Sequence, residues 1–166
     1  MIKEQDLSNL LHEGKLIELC NEINNFDQWK LNKWYEMEEK EYILPLKSGS
    51  DIDKSKILNA SCIMGIKLVK DKVTSTQLRR LLNGFQIVKE KTKKSGLKTT
   101  HISKLKLNLA YVTARNYNIK RLTDLLDSLL DRERFPENTD LTEHFDSVVT
   151  LLEGVIVYHK LAGGRD

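Results

Sequence analysis

V-T-S-T-Q-L-R-R-L-L-N-G-F-Q-I-V-K-E-K-T-K-K-S-G, residues 73–96, decides how the rest of the chain is read. Thr74 followed by Gln77 is a capping box. The hydroxyl accepts from the amide of the third helical residue, and the glutamine reaches back to the amide of the cap. Val73 in front is placed to act as a hydrophobic staple. Leu78, Leu81, Leu82, Phe85 and Val88 follow at i, i+3, i+4 and i+7 steps, the signature of a helix with one buried face. Lys89, Lys91, Lys93 and Lys94 suit the negative end of a helix dipole, and Gly96 stands where a helix stops. Start, face and stop agree, so the working period is that of a helix.

The same period extends in both directions. Residues 100–117 form a helix with Ile102, Leu105, Leu109 and Val112 inward. At about 100° per residue, Lys104, Asn108, Tyr111 and Arg115 fall on the opposite face as a polar strip, with Leu107 also pointing outward. Asn118 marks a stop. Residues 119–134 form the next helix, with Ile119, Leu122, Leu126, Leu129 and Leu130 inward. Phe135-Pro136-Glu137-Asn138 reads as a turn. A last helix starts at Thr139 or Asp140 and runs to Leu161, ended by Gly163-Gly164. Upstream, residues 53–70 are apolar over most of a helix circumference, which places them centrally. Residues 6–24 read as one helix capped by Asp6. Residues 24–53 are the least regular, with a short helix over 29–40 and a break at Pro45 and Ser48-Gly49-Ser50. The expectation is an all-α fold: a single domain over residues 1–166, a compact bundle of five to six helices. Residues 1–71 supply the N-terminal helices and a Trp-bearing connection, and residues 72–161 a basic helical core.

Composition supports this. Among 166 residues only 2 are proline and 8 glycine, too few for the turns of an all-β fold. The N-terminus lacks an apolar run behind a basic start, and no stretch has the length and apolarity of a membrane span, so a cytoplasmic protein is expected. Cys20 and Cys62 stand far apart without a CxxC motif and read as reduced core residues. His12, His101, His144 and His159 have no partner at ligand spacing, so neither a metal nor a cofactor is expected. There is no phosphate-cradling glycine loop. Acidic pairs such as Glu38-Glu39 read as a solvated face. Nothing marks an enzyme.

Charge carries the functional signal. Residues 72–121 hold 13 of the 27 Lys and Arg residues and one acid, Glu90. That stretch is +12 and the remainder −9, a split that the overall +3 conceals. A folded surface this basic is built to meet a polyanion. Arg80, Asn83, Lys91 and Lys94 point away from the apolar stripe of their helix, with Arg79 on its flank. Lys104, Tyr111 and Arg115 point outward from the next, and the two strips merge if the helices pack side by side. Tyr111 and Tyr117 are too few aromatics for a platform that stacks single-stranded bases, which favours contact with a phosphate backbone or the outside of a duplex. Two other classes fit the same charge: a helical DNA-binding regulator, and a helical adaptor for an acidic protein. Trp29 and Trp34 either plug the bundle or form a docking patch for another protein.

Three stretches together resemble a known family. They are V-T-S-T-Q-L-R-R-L-L-N (73–83), K-L-K-L-N-L-A-Y-V-T-A-R (104–115) and V-V-T-L-L-E-G-V-I-V-Y-H-K (148–160). In order and spacing they are similar to the small subunit of type III-A CRISPR effector complexes, over roughly residues 72–161. The family's Ala-Gly-Arg reads Thr113-Ala114-Arg115 here. The resemblance implies a non-catalytic RNA-binding subunit in antiviral defence, stacked in several copies beside the backbone subunits that hold the guide RNA. Its partners would be guide and target RNA, the backbone and large subunits, and further copies of itself, with no membrane. It carries Arg79, Arg80 and Arg115 over as basic positions, with Lys104 and Lys106 in the matching Lys-Leu segment. The RNA-binding set expected is then Arg79, Arg80, Lys91, Lys94, Lys104, Lys106 and Arg115, with Trp29, Trp34 and Leu107 at protein interfaces.

Overall fold

A computed structural model describes residues 2–47, 52–131, 134 and 142–166, and every described element is helical. Among the described residues there are eight α-helices of eight residues or more and one single turn: α1 Glu4–His12, α2 Leu16–Ile23, α3 Gln28–Tyr42, α4 Leu44–Lys47, α5 Ile57–Lys70, α6 Ser75–Ser95, α7 Thr99–Arg115, α8 Lys120–Leu129 and α9 Thr142–Leu161. Short 3₁₀ turns, Lys54–Lys56 and Tyr117–Ile119, lead into α5 and α8. The all-α expectation holds, but five to six helices is too few. The expected breaks at Ser48-Gly49-Ser50 and residues 135–138, and the expected α9 start at Thr139 or Asp140, lie outside the described residues.

The extra helices come from the N-terminal part. Residues 6–24 are two helices, because the chain reverses at Gly14 with φ +76°. There the Lys15 amide bonds the Leu10 carbonyl (2.9 Å) and the Gly14 amide bonds the Leu11 carbonyl (3.1 Å). This pair of bonds satisfies the last carbonyls of α1 and requires the left-handed backbone that glycine adopts without strain. Asp6 is not the cap; α1 begins two residues earlier, and the Asp6 carboxylate accepts from the Lys3 amide (2.8 Å) from inside the first turn. The Trp-bearing connection is also more regular than expected. Asp27 caps α3 by accepting from the amides of Trp29 (2.8 Å) and Lys30 (3.3 Å). Pro45 sits inside the single turn of α4, near its start, where a missing N–H costs nothing.

The α5 and α9 pair forms the centre. Contacts advance together along both: Lys54 with Glu143, Ser61 with Gly154, Gly65 with Val155 and His159. The two therefore run in parallel. A Cβ on Gly65 would lie 2.7 Å from the His159 amide nitrogen and 2.9 Å from the Val155 carbonyl oxygen, so the backbones touch at that point. α3 lies antiparallel on α5, with Asn32 bonded to Lys67 (3.0 Å) and the Glu41 carbonyl to Lys56 (3.1 Å). One cluster of buried apolar side chains runs from Leu7 to Ala162 and takes in every long helix.

The core also takes polar residues. Trp34 is 0% exposed and its indole donates to Ser8 Oγ (3.1 Å). It is a core residue, and the expectation that it faces another protein is corrected. Glu38, read as solvated, is 5% exposed. Cys20 and Cys62 are buried free thiols whose sulfurs lie 3.9 Å apart; the hydrogen bond with Cys20, and then burial, push the Cys62 thiol up, against ionisation.

Candidate nucleic-acid interface

The capping box forms as its residue types dictate. The Gln77 amide donates to Thr74 Oγ1 (3.1 Å), and the Thr74 amide donates to Gln77 Oε1 (2.9 Å). Gln77 has a second task that its spacing did not reveal. Its Nε2 donates to Asn118 Oδ1 (3.3 Å), and Asn118 Nδ2 donates to the Lys72 carbonyl (3.1 Å). The start of α6 is thereby tied to the Tyr117–Ile119 turn that follows α7. Further along, Gly84 of α6 lies beside Asn108 of α7. The two helices run antiparallel, and their outward strips do meet.

A cleft of about 460 Å³ opens between them. Thr76, Gln77, Arg80 and Leu81 of α6 and Asn108, Tyr111, Val112 and Arg115 of α7 line it, with Thr74 and Asn116 beside them. No acid lines it. Two guanidiniums beside one cleft repel each other unless an anion joins them. Tyr111 is largely exposed and offers a phenol and a ring face, while Asn108 offers an amide.

Folding sorts the thirteen basic residues of this stretch. Six meet carboxylates. Lys106 turns toward α8, 2.6 Å from Asp131 and 3.4 Å from Asp127. Burial, which disfavours its ammonium, is outweighed by those two acids, and its pKa is raised. Arg79 lies 3.9 Å from Asp166, and Lys89 lies 3.7 Å from Asp146. Lys93 pairs with Glu90, Lys120 with Asp124, and Arg121 with Asp71 and Glu39. Among the described residues, Lys72, Arg80, Lys91, Lys94, Lys98, Lys104 and Arg115 have no carboxylate within ion-pair distance. Of the seven expected RNA contacts, five therefore carry uncompensated charge: Arg80, Lys91, Lys94, Lys104 and Arg115. Arg79 and Lys106 are partly compensated. All but Lys106 are exposed.

The candidate protein contacts separate in the same way. Leu107 is 71% exposed on α7, next in sequence to Asn108 of the cleft. Trp29 is 64% exposed at the start of α3, with the Lys33 ammonium 4.2 Å above its ring. Among the described residues, the one grouping of metal-ligand side chains, His12 with Glu38 and Glu41, lies on α1 and α3 rather than on α6 or α7. Among the described residues, no helix is long and apolar enough to cross a membrane.

The class defined by this fold and site is a helical-bundle protein with an acid-free basic cleft between two antiparallel helices. The chain belongs to the family described as Csm2 Type III-A, which matches residues 52–165, and it is thus a small subunit of type III-A CRISPR effector complexes. The match takes in α5, which the motif resemblance left out, because the three motifs begin only at Val73. No curated protein and no solved structure matches the chain. Family membership places it in a Csm effector complex with other subunits, in a family whose small subunits are structural rather than catalytic.

Proposed function

We propose that this small subunit binds RNA through the α6–α7 cleft. Arg80 and Arg115 hold adjacent phosphates of the target strand or the guide–target duplex. Lys104 extends the contact along α7, and Lys91 and Lys94 extend it along the end of α6. Arg79 and Lys106 contribute less, since each already faces an acid. The observation that carries this reading is the acid-free cleft with two guanidiniums that lack a carboxylate partner among the described residues. Phosphates supply most of the affinity for nucleic acid, and exposed uncompensated cations are the groups that release counterions on contact. Such contacts carry no base preference. Copies of the subunit stack along the complex, with Leu107 and Trp29 at contacts with neighbours.

The test is binding of a labelled single-stranded RNA, a guide–target duplex and matched DNA to the full chain at low and moderate salt. Arg80→Glu with Arg115→Glu should weaken RNA binding by about a hundredfold, since each substitution removes one phosphate contact and adds a repulsion. Helicity should stay unchanged. Binding that is unaltered in the double variant sinks the assignment. Equal affinity for duplex DNA supports a DNA-binding regulator instead. Binding to an acidic protein with no nucleic acid supports the adaptor reading.

A further inference from the structure

His12 ends α1, and Glu38 and Glu41 stand three residues apart on α3. The fold brings one donor atom of each within 4.8 Å of the others. His12 Nε2 is 3.6 Å from Glu38 Oε2 and 3.4 Å from Glu41 Oε2. Ligands bound tetrahedrally at about 2.0–2.1 Å lie about 3.3 Å from one another, close to both separations.

Glu38 supplies the independent observation. It is 5% exposed, and its Oε2, the atom aimed at His12, has no hydrogen-bond partner. Its other oxygen is fixed: Ser8 Oγ donates to Oε1 (2.6 Å), and Trp34 Nε1 donates to that same Ser8 Oγ (3.1 Å). A buried carboxylate oriented by a hydroxyl that is itself oriented by an indole is the outer-shell arrangement that holds a metal ligand in place. The Tyr42 ring packs edge-on against the imidazole, with centroids 5.9 Å apart. A buried, unsatisfied carboxylate oxygen is costly, and a second carboxylate close by adds repulsion. A bound dication removes both penalties. His12 and Glu41 are each about half exposed, which leaves room for water in the remaining coordination positions.

We propose that His12, Glu38 and Glu41 bind one divalent first-row transition ion of the Zn²⁺ class, clamping α1 to α3. One imidazole with two carboxylates suits Zn²⁺ better than Ca²⁺ or Mg²⁺, which favour all-oxygen sites. The clamp is separate from the RNA reading, since none of its residues lines the α6–α7 cleft.

Full-length protein treated with chelator is titrated with ZnCl₂ by calorimetry and with Co²⁺ by visible absorption. The expected result is one saturable site per chain, a Co²⁺ spectrum of nitrogen and oxygen ligation, and a raised melting temperature with Zn²⁺. His12→Ala and Glu41→Gln, both at exposed positions, should each weaken binding by tenfold or more while leaving the fold and RNA binding intact. Ser8→Ala should weaken it by about tenfold through misorientation of Glu38. Absence of a one-to-one site, affinity unchanged in His12→Ala, or a thiolate-to-cobalt charge-transfer band pointing to Cys20 and Cys62 would each overturn the proposal.

Discussion

Gly65 and Gly84 both stand inside helices, and their surroundings predict opposite outcomes. At Gly65 an added methyl meets backbone atoms of α9 at 2.7 and 2.9 Å, which cannot move aside cheaply. Gly65→Ala should lower the unfolding free energy by about 1–3 kcal/mol, the usual cost of overpacking. At Gly84 the nearest atom is Asn108 Nδ2 at 3.7 Å, an ordinary contact. Gly84→Ala should raise stability by about 0.5–1 kcal/mol, because alanine loses less backbone entropy in a helix. Urea unfolding of the two variants measures both signs. His159 gives a pH dependence. Its Nε2 is 2.7 Å from the Val73 carbonyl, and its ring is wholly buried. Burial lowers its pKa from the ordinary 6.5, against the Val73 bond, which raises it, while Lys160 lowers it further. The unfolded chain therefore takes up this proton before the folded one does. The contribution is complete above pH 6.5 and is lost as pH falls from there toward the folded value. Unfolding at pH 7.5 and pH 5.5 should show lower stability at the acid end, and His159→Gln should flatten that slope.

At the scale of elements, α7 offers a test within one helix. Lys104 and Lys106 are two residues apart and so lie on different faces. Lys104 is exposed with no carboxylate partner among the described residues, whereas Lys106 is held by Asp131 and Asp127 of the α8 side. Lys104→Ala should reduce the salt slope of RNA binding by about one, as expected for loss of a phosphate contact. Lys106→Ala should change that slope by much less than one and cost at most about 1 kcal/mol of stability, the range of exposed ion pairs. A salt titration with both variants separates the outcomes. Signals in the chain marked most elements well: the α6 capping box was legible to the residue, because both its partners lie within one turn. The split of residues 6–24 was missed although Gly14 marks it, since the apolar spacing runs straight through the turn.

For the whole molecule, charge distribution governs. The five uncompensated cations of the proposed site imply about five phosphate contacts. For single-stranded RNA, log affinity against log salt should then fall with a slope of about −3.5. A slope near zero in fluorescence-anisotropy titrations would contradict a backbone-binding surface. The +12 of residues 72–121 is not the charge its surface presents, because acids from the end of α5, α8, α9, the α3 run and the C-terminal Asp166 fold back on five of its cations.

The amino-acid sequence by itself determined the helical class, the faces of α6 and α7, and the motifs that point to the family. Each of these rests on neighbours within one or two turns, where a 3.6-residue period and a cap are readable from residue types alone. Tertiary structure alone decided which cations stay free, that Trp34 is core, and that His12 meets Glu38 and Glu41. Those outcomes pair residues far apart in the chain, and helix periodicity carries no information about which distant helix lies opposite a given face.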